Sequence, residues 1–439
     1  MSERSATLAG DSRDRTMPDS EWARLDAELD VIGRKPARSR LGIRVRGSVW
    51  AVLTVWTAAW ALLHARSAGF SWHYFVLGAQ MLASSSPISG GLHVYAAHPE
   101  LQIGPLALLL AVPLTHLDPW HGRIAAVVLL TAGGPLLLAA LARIRERSGR
   151  MSDPLLLVTG MLVLPVWTEV AAHFAHLDDA LALAAIVAAT GTIRRGSAVA
   201  TGLLLAVATD SKPWAIGCAA LLLALPAGRR ARAAAVFVAG VALAWIPFVL
   251  GDPRTLNLGR FTIPNVAGSA LNALGVHDPR TPSWDRAAQL LLGVAVAVIA
   301  VRRGRWAAVP LAVVCARLLL DPETYTYYTS GLLVATALVD LYVPARGFPM
   351  WTSAAALFYA IDDRLNQLLP APALGAMRAG YCLVVLAVLA LPGRQAAVTD
   401  APVRGPGRHR RRRPREIRDV RLPAQRLPVD EPPRQVFNS

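Results

Sequence analysis

Long apolar runs alternate with short polar segments along most of the chain. The first run begins near Ser48 and the last ends near Pro392. Most runs approach the roughly 20 residues that a helix needs to cross a bilayer. The pattern predicts an all-α, polytopic membrane protein with about 12 transmembrane helices. The predicted spans are 48–65, 124–141, 154–172, 178–193, 197–210, 214–227, 232–250, 287–301, 306–320, 325–341, 350–361 and 376–392.

The first large polar gap between apolar runs covers residues 69–106 and is predicted to be a large external loop. It leads into an apolar stretch, 103–114, that is broken by Pro105 and Pro113. A run of roughly 10 to 14 apolar residues is typical of a re-entrant or short segment. We therefore expect this stretch to enter the membrane without crossing it. In the alternative layout, 103–117 crosses fully and another segment does not.

Basic and acidic segments fall on opposite sides of this layout. Cytoplasmic loops of membrane proteins carry an excess of Lys and Arg. The predicted inner loops contain Arg194 and Arg195, Arg229 and Arg230, and Arg302 and Arg303, whereas the acidic pairs and the long loop 251–286 fall outside. We therefore expect a multi-pass protein of the plasma (cell) membrane with both termini in the cytoplasm.

The two ends of the chain differ in composition from the middle. Residues 1–46 are rich in Ser, Asp and Arg, and residues 393–439 contain the basic stretch HRRRRPR. Neither end has enough apolar residues to bury a core. We predict a disordered basic lead over 1–46, a transmembrane domain over 47–392 and a disordered basic tail over 393–439.

Composition excludes an ordinary soluble domain. Hydrophobic residues make up 54% of the chain and charged residues 17%, whereas about a quarter of a soluble domain is charged. The net charge of +16 would suggest nucleic-acid binding in a soluble protein. Here the arginines lie in tails and short loops, so we expect membrane lipids as partners and no nucleic acid.

The first candidate for chemistry lies in the 69–106 gap, which contains His73, His98 and Glu100 among aromatic residues. Glu100 follows His98 by two positions where the chain turns back towards the membrane. A carboxylate at this position could act as general base on an acceptor hydroxyl. Alternatively, Glu100 caps the start of the following helix.

A second candidate is the segment HFAHLDDALALA, which places His176, Asp178 and Asp179 at a predicted helix start. Acidic residues in a first turn are stabilised by the helix dipole, which accounts for one of them without a function. The same side chains could hold a sugar or a divalent cation. A metal site needs more convergent ligands than these, so we predict none.

Two cations and a tyrosine motif complete the candidates. Lys212 is the only lysine outside the N-terminal lead, and it either contacts a phosphate or pairs with Asp210. Arg317 lies inside an apolar run, where it can pair with Asp321 or reach a lipid phosphate. Three tyrosines of DPETYTYYTSGLL form either an interfacial aromatic belt or a surface that stacks on a sugar: Tyr325, Tyr327 and Tyr328.

The layout resembles the C-type polytopic glycosyltransferases (GT-C) that use polyprenol-phosphate sugars, such as actinobacterial mannosyltransferases. The resemblance covers residues 48–392 as architecture, and its motifs are the re-entry HPELQIGPLALLLAVPL and the tyrosine segment TYTYYTSGLL. It implies transfer of a sugar, with mannose expected, from polyprenyl phosphate to a lipid or glycan acceptor of the envelope on the outer face. Lys212 or Arg317 would assist the phosphate, and no cofactor is needed because a lipid monophosphate leaves; a divalent cation is compatible but not required.

One departure from that class matters. Its catalytic carboxylate usually lies early in the first external loop, where this chain has SWHYF, with Ser71 and His73 but no carboxylate. Either Glu100, Asp178 or Asp179 is the base, or transfer activity has been lost. Two alternatives therefore stay open: a transporter or lipid flippase, and a non-catalytic membrane subunit derived from such transferases.

Overall fold

The computed structural model describes residues 40–146, 151–257, 262–323, 325–342, 347–365 and 367–392. Within these ranges the chain is helical, and its β pairing is limited to an isolated bridge between Pro264 and Arg280. The predicted all-α class is confirmed for this part of the chain. Most of the predicted N-terminal lead and the whole tail from 393 to 439 lie outside the described residues.

The helices follow the apolar runs. The longer ones, numbered along the chain, are α1 (Arg40–Leu63), α2 (Trp72–Ala83), α3 (Pro105–Thr115), α4 (Pro119–Glu146), α5 (Asp153–Thr168), α6 (Leu177–Arg194), α7 (Ala198–Ser211), α8 (Ala227–Gly251), α9 (Asp285–Arg302), α10 (Val309–Leu320), α11 (Tyr328–Tyr342), α12 (Met350–Leu365) and α13 (Ala371–Ala390). A 3₁₀-helix, Pro213–Ala224, joins α7 to α8.

Four of the described helices are long and apolar enough to cross a membrane: Pro119–Glu146, Asp153–Phe174, Ala227–Gly251 and Ala371–Ala390. A fifth span is available if residues 47–63 and 65–83, which meet at an angle of 56°, cross as one bent pair. Leu243 and Leu250 of α8 are 81% and 80% exposed. Exposure of such an apolar face to water is unfavourable in free energy, whereas its exposure to the hydrocarbon of a bilayer is not. These features support a membrane protein, and the layout of about 12 spans stays a prediction.

Two segments differ from the prediction in local structure. The predicted external loop 69–106 contains α2, because Trp72–Ala83 is an apolar stretch interrupted by few polar residues. Most of the predicted span 214–227 is a 3₁₀-helix, Pro213–Ala224, of 12 residues. At about 2.0 Å per residue this helix is roughly 24 Å long, whereas an α-helix of the same length would be about 18 Å. The tighter winding therefore lets a short segment cover more depth.

The centre of the described fold is formed by α6, α10 and α11. Every residue of α11 from Thr329 to Leu341 is buried, and so is nearly all of α10. A group of charged and polar residues lies where α6 begins, α10 ends and α11 begins. This arrangement brings charged side chains that are far apart in sequence to the same end of the helix bundle.

Candidate functional site

The site is built on an irregular turn after α5. The chain makes a π-helical turn, Glu169–Phe174, and Ala175 then adopts the left-handed conformation with φ of 53°. Backbone amides of residues 69–71 donate to the carbonyl oxygens of residues 172–174 at 2.8 to 3.0 Å, so polar groups freed by the turn are satisfied. Turns of this kind are frequent at functional sites. The turn leads directly into α6 and its acidic first turn.

Four side chains form what we name the buried charge cluster: His176, Asp178, Asp179 and Lys212. Lys212 Nζ donates to Asp178 Oδ2 and lies 3.3 Å from Asp179 Oδ2. His176 Nδ1 lies 3.3 Å from Asp178 Oδ1 and 3.7 Å from Asp179 Oδ2. Asp178 is fully buried and the other two charged groups are nearly so. Buried charges of this kind persist only when opposite charges and hydrogen bonds compensate them.

Lys212 reaches the acidic pair because α7 ends at Ser211. A proline disfavours the helical conformation of the residue before it, and Lys212 precedes Pro213 with an extended backbone, φ −143° and ψ 113°. The chain then continues as the 3₁₀-helix. The break is therefore encoded locally, whereas the meeting of Lys212 with Asp178 depends on the packing of α6 against α7.

Three aromatic side chains, which we name the aromatic wall, border the cluster: Trp214, Tyr327 and Tyr328. The indole N–H of Trp214 donates to Asp179 Oδ1 at 3.2 Å. The ring of Tyr327 stacks on His176, with centroids 4.0 Å apart and planes 22° apart. Since the imidazole is held between a phenol ring and two carboxylates, the geometry of the cluster is fixed from two sides.

Arg317 supplies a second cation beside the aromatic wall. Its Cζ lies 3.9 Å from the centroid of the Tyr328 ring and 5.5 Å from that of Trp214. A guanidinium over an aromatic face is attracted to the ring electrons. Its Nε also lies 3.5 Å from Oδ2 of Asp321, which is four residues later and directly follows α10. The sequence alternative in which Arg317 pairs with Asp321 is therefore confirmed in the structure.

A small cavity separates these groups. Its lining contains Asp179, Arg317, Ser330 and the aromatic wall, together with apolar side chains of α6 and α10. About 10 Å³ is available in it to the centre of a water molecule, which is room for about one water. A larger ligand therefore needs the lining side chains to move apart. The cavity offers such a ligand a carboxylate, a guanidinium, a hydroxyl and aromatic faces.

The oxygens of Asp178 and Asp179 differ in what they contact. Asp178 accepts from Lys212 and from the backbone N–H of Asp179 at 2.9 Å, and it faces His176. Asp179 Oδ2 is buried and accepts no hydrogen bond from the described residues. Asp179 also lines the cavity, whereas Asp178 does not. Of the two carboxylates, Asp179 is the one that lines the cavity and has an oxygen without a hydrogen bond from the described residues, although Lys212 Nζ lies 3.3 Å from that oxygen.

The same residues include a set of metal-ligand atoms. One atom each from His176, Asp178 and Asp179 lies within 4.8 Å of the others. However, the ammonium group of Lys212 contacts both carboxylates, so it occupies the place that a cation would take between them. A divalent cation, which prefers oxygen ligands, could bind between the carboxylates only after the ammonium group of Lys212 had moved away.

Other predicted residues lie apart from the cavity. Glu100 has an exposed side chain whose Oε1 is 3.1 Å from His98 Nδ1. His73 is exposed, and its Nδ1 contacts the carbonyl oxygen of Phe70 at 3.0 Å. Neither Glu100, His98 nor His73 is part of the cavity lining. Tyr325 lies at the edge, where its ring is 5.6 Å from that of Tyr327.

Two contributors were not singled out as site residues by sequence reasoning. Trp214 is one of them, and its indole N–H donates to Asp179 Oδ1. Glu169 is the other: its carboxylate lies 3.4 Å from His64 Nε2 and accepts from Thr326 Oγ1 at 3.0 Å. Its position inside the apolar stretch 154–172 could have indicated a role, because burying a charge within a membrane span is unfavourable in free energy unless the charge has a partner.

Comparison with known proteins finds no match to this chain among protein-family models, curated proteins or solved structures. The basis for a functional conclusion is therefore the site itself, in which carboxylates, an ammonium and a guanidinium are buried beside aromatic rings.

Proposed function

We propose that this chain is a membrane glycosyltransferase that moves a sugar, with mannose expected, from polyprenyl phosphate to an envelope glycolipid or glycan on the outer face. The observation that carries the proposal is Asp179, a buried carboxylate that lines the cavity together with Arg317 and two tyrosines. Its Oδ2 lies 3.3 Å from Lys212 Nζ but accepts no hydrogen bond from the described residues. Sugar transfer from a lipid phosphate needs a proton acceptor, a cation for the phosphate and a surface for the sugar ring. These three requirements match the three kinds of side chain in the lining.

Asp179 is the proposed general base. The acceptor hydroxyl oxygen forms a bond to the anomeric carbon, the bond from that carbon to the phosphate oxygen breaks, and its electron pair leaves with the polyprenyl phosphate. The hydroxyl proton passes to Asp179 Oδ2. Asp178 is less suited to this role because Lys212 and the backbone already use its oxygens.

Arg317 is the proposed contact for the donor phosphate. It lies in the cavity lining, and its guanidinium has several N–H groups arranged for the planar recognition of phosphate. Lys212, which the sequence also suggested, is paired with both aspartates and supports Asp178 and Asp179 instead. The aromatic wall is the proposed sugar surface.

The position of the site along α6 supports a reaction near one membrane face. Asp178 precedes Arg194 by 16 residues in this helix, a distance of about 24 Å at 1.5 Å per residue. In the predicted layout α6 crosses the hydrocarbon core, which is about 30 Å thick, and the buried charge cluster then belongs to the face opposite Arg194. The same layout has the basic loops on the cytoplasmic side, which makes that face the proposed outer one.

The test is sugar transfer in membranes that contain the full-length chain. Radiolabelled polyprenyl-phosphate mannose is supplied, and label in endogenous lipid acceptors is measured at matched expression. Asp179→Asn is expected to reduce transfer roughly 100-fold or more, the usual contribution of a general base. Glu100→Gln is expected to retain near wild-type activity. Asp118→Asn is the matched control, because that carboxylate is exposed beside His121.

Each result assigns a role. If Glu100→Gln abolishes transfer and Asp179→Asn does not, Glu100 is the base and the assignment to Asp179 is wrong. If wild-type membranes transfer no label above vector membranes with several sugar donors, the enzyme proposal fails.

The second candidate is a non-catalytic membrane subunit or a transporter. The closed cavity favours the subunit, since it has room for only about one water. A transporter or lipid flippase would place charges near the middle of the membrane, whereas the cluster here lies at helix ends. Failure of all transfer assays would direct attention to these two functions.

A further inference from the structure

Asp321, the residue that follows α10, is completely buried and directly behind the proposed phosphate contact. Its described ion-pair partners are Arg317, with Nε at 3.5 Å, and Arg286, with Nη1 at 3.8 Å. Asp321 is not part of the cavity lining, whereas Arg317 is. Neither oxygen of Asp321 accepts a hydrogen bond from the described residues, so the ion pair with Arg317 is its link to the cavity.

Three contacts define the orientation of that guanidinium. Asp321 faces its Nε edge, Tyr328 covers one face at 3.9 Å, and Trp214 lies 5.5 Å away. A guanidinium is planar and donates along fixed directions. With the Nε edge turned towards Asp321, the Nη groups form the remaining edge. Arg317 lines the cavity, and this edge is the one that Asp321 does not face.

We propose that Asp321 is a positioning residue that holds Arg317 for binding the phosphate ester of a lipid. The identity of the ligand as a lipid phosphate rests on the proposed function. The positioning itself rests on the contacts of Arg317. Phosphate esters accept hydrogen bonds in parallel from a guanidinium, and this recognition depends on orientation as well as charge. Loss of Asp321 therefore weakens anion binding even though Arg317 remains.

The experiment measures binding rather than turnover. The full-length protein in lipid nanodiscs is titrated with dodecyl phosphate by calorimetry, with inorganic phosphate as the comparison ligand. Asp321→Asn is expected to weaken dodecyl phosphate binding about 10-fold, a typical coupling for groups in contact. Arg317→Lys is also expected to weaken binding, because an ammonium lacks the planar fork.

The double variant Asp321→Asn with Arg317→Lys distinguishes an effect of Asp321 through Arg317 from a general loss of structure. A lysine has no Nε edge for Asp321 to hold, so removing Asp321 in that background is expected to change affinity by less than about twofold. Equal losses in both backgrounds would show that Asp321 acts independently of Arg317, and the inference would be wrong.

Asp285→Asn is the matched control. Asp285 is also fully buried, and it lies 4.0 Å from Arg286 Nε without an ion pair to Arg317. It is expected to leave dodecyl phosphate affinity within about twofold of wild type. If Asp321→Asn fails to fold, the same cycle with Asp321→Glu decides the question, since this variant keeps the charge but displaces the carboxylate. A loss of dodecyl phosphate affinity only in protein that retains Arg317 supports positioning. An equal loss in protein that carries Arg317→Lys overturns it.

Failure of this inference can be told apart from failure of the proposed function. Wild-type protein that binds no dodecyl phosphate overturns the inference, and inorganic phosphate that binds equally well overturns the lipid part of it. Dodecyl phosphate binding that is lost in Asp321→Asn, in a protein that transfers no sugar, supports the inference while the enzyme proposal fails.

Discussion

At the scale of single residues, the contact between Lys212 and the aspartates dominates the site. Lys212 Nζ contacts both Asp178 and Asp179, and all three groups are buried. Removal of one partner from a buried pair costs more than the pair contributes, because it leaves a charge without compensation. The stability of this region therefore depends on keeping the charges matched, and not on any one charged group.

Asp178→Asn is expected to destabilise the protein by on the order of 3 kcal/mol. Its partner Lys212 then keeps only Asp179, at 3.3 Å. Lys212→Met alone is expected to be at least as harmful, because Asp178 is fully buried. Relative to Lys212→Met, the double variant is expected to recover part of the loss, since it leaves one carboxylate, Asp179, without the ammonium group instead of two. Thermal unfolding of purified protein checks this order, and a double variant less stable than both single ones would contradict it.

At the scale of elements, a close approach between the start of α3 and the end of α7 positions the segment before Lys212. The amide of Gly104 donates to the carbonyl oxygen of Ser211 at 2.9 Å. A Cβ on Gly104 would lie 2.0 Å from the carbonyl oxygen of Asp210. Because the clashing atom belongs to the backbone, a side chain at position 104 would force α3 and α7 to move apart. Small residues at such contacts allow helices in membranes to approach closely.

Gly104→Ala is therefore expected to destabilise the fold by roughly 1–3 kcal/mol, as for other overpacked positions. Gly380→Ala is the control, because Gly380 of α13 is exposed and a Cβ there meets nothing within 4 Å. Alanine in a helix interior is favoured over glycine by roughly 0.5–1 kcal/mol, so this variant is expected to be neutral or stabilising. Thermal unfolding measures both, and equal behaviour of the two variants would show that the contact at Gly104 carries no strain.

At the scale of the whole molecule, the described helices combine a buried polar centre with an apolar exterior. α8 exposes large aliphatic side chains, whereas α11 is buried from Thr329 to Leu341. A bilayer accepts the first surface, and the helix bundle shields the second from it. The basic loops predict an orientation of this arrangement in the membrane, and this prediction can be tested directly.

Single cysteines test that orientation. The native cysteines are buried, so they give little background labelling. Ser283→Cys, in the predicted external loop, is expected to react with a membrane-impermeant maleimide in intact cells. Gly228→Cys, beside the basic residues at the start of α8, is expected to react only after permeabilisation. The reverse result would place the buried charge cluster on the cytoplasmic side and remove the outer-face reaction from the proposal.

The sequence by itself determined where most helices form and which polar residues stand at their ends. Apolar runs of sufficient length favour helices in a membrane because the backbone must satisfy its own hydrogen bonds there. The segment 176–179 was predicted to begin a helix, and α6 begins at Leu177. Where aromatic and small polar residues mix, the local pattern is insufficient, and it predicts a loop where the structure has α2. The pattern also does not indicate that Pro213–Ala224 is a 3₁₀-helix.

Only the tertiary structure decided which predicted residues share a site. Asp179 and Arg317 line one cavity although they are far apart in sequence, whereas Glu100 is exposed and pairs with His98. The tertiary structure also decided which aspartate has an oxygen without a hydrogen bond from the described residues, since Asp178 and Asp179 are neighbours of identical chemistry. The physical reason is that periodicity places a side chain on a helix, but its burial and hydrogen-bond partners come from the other helices packed against it.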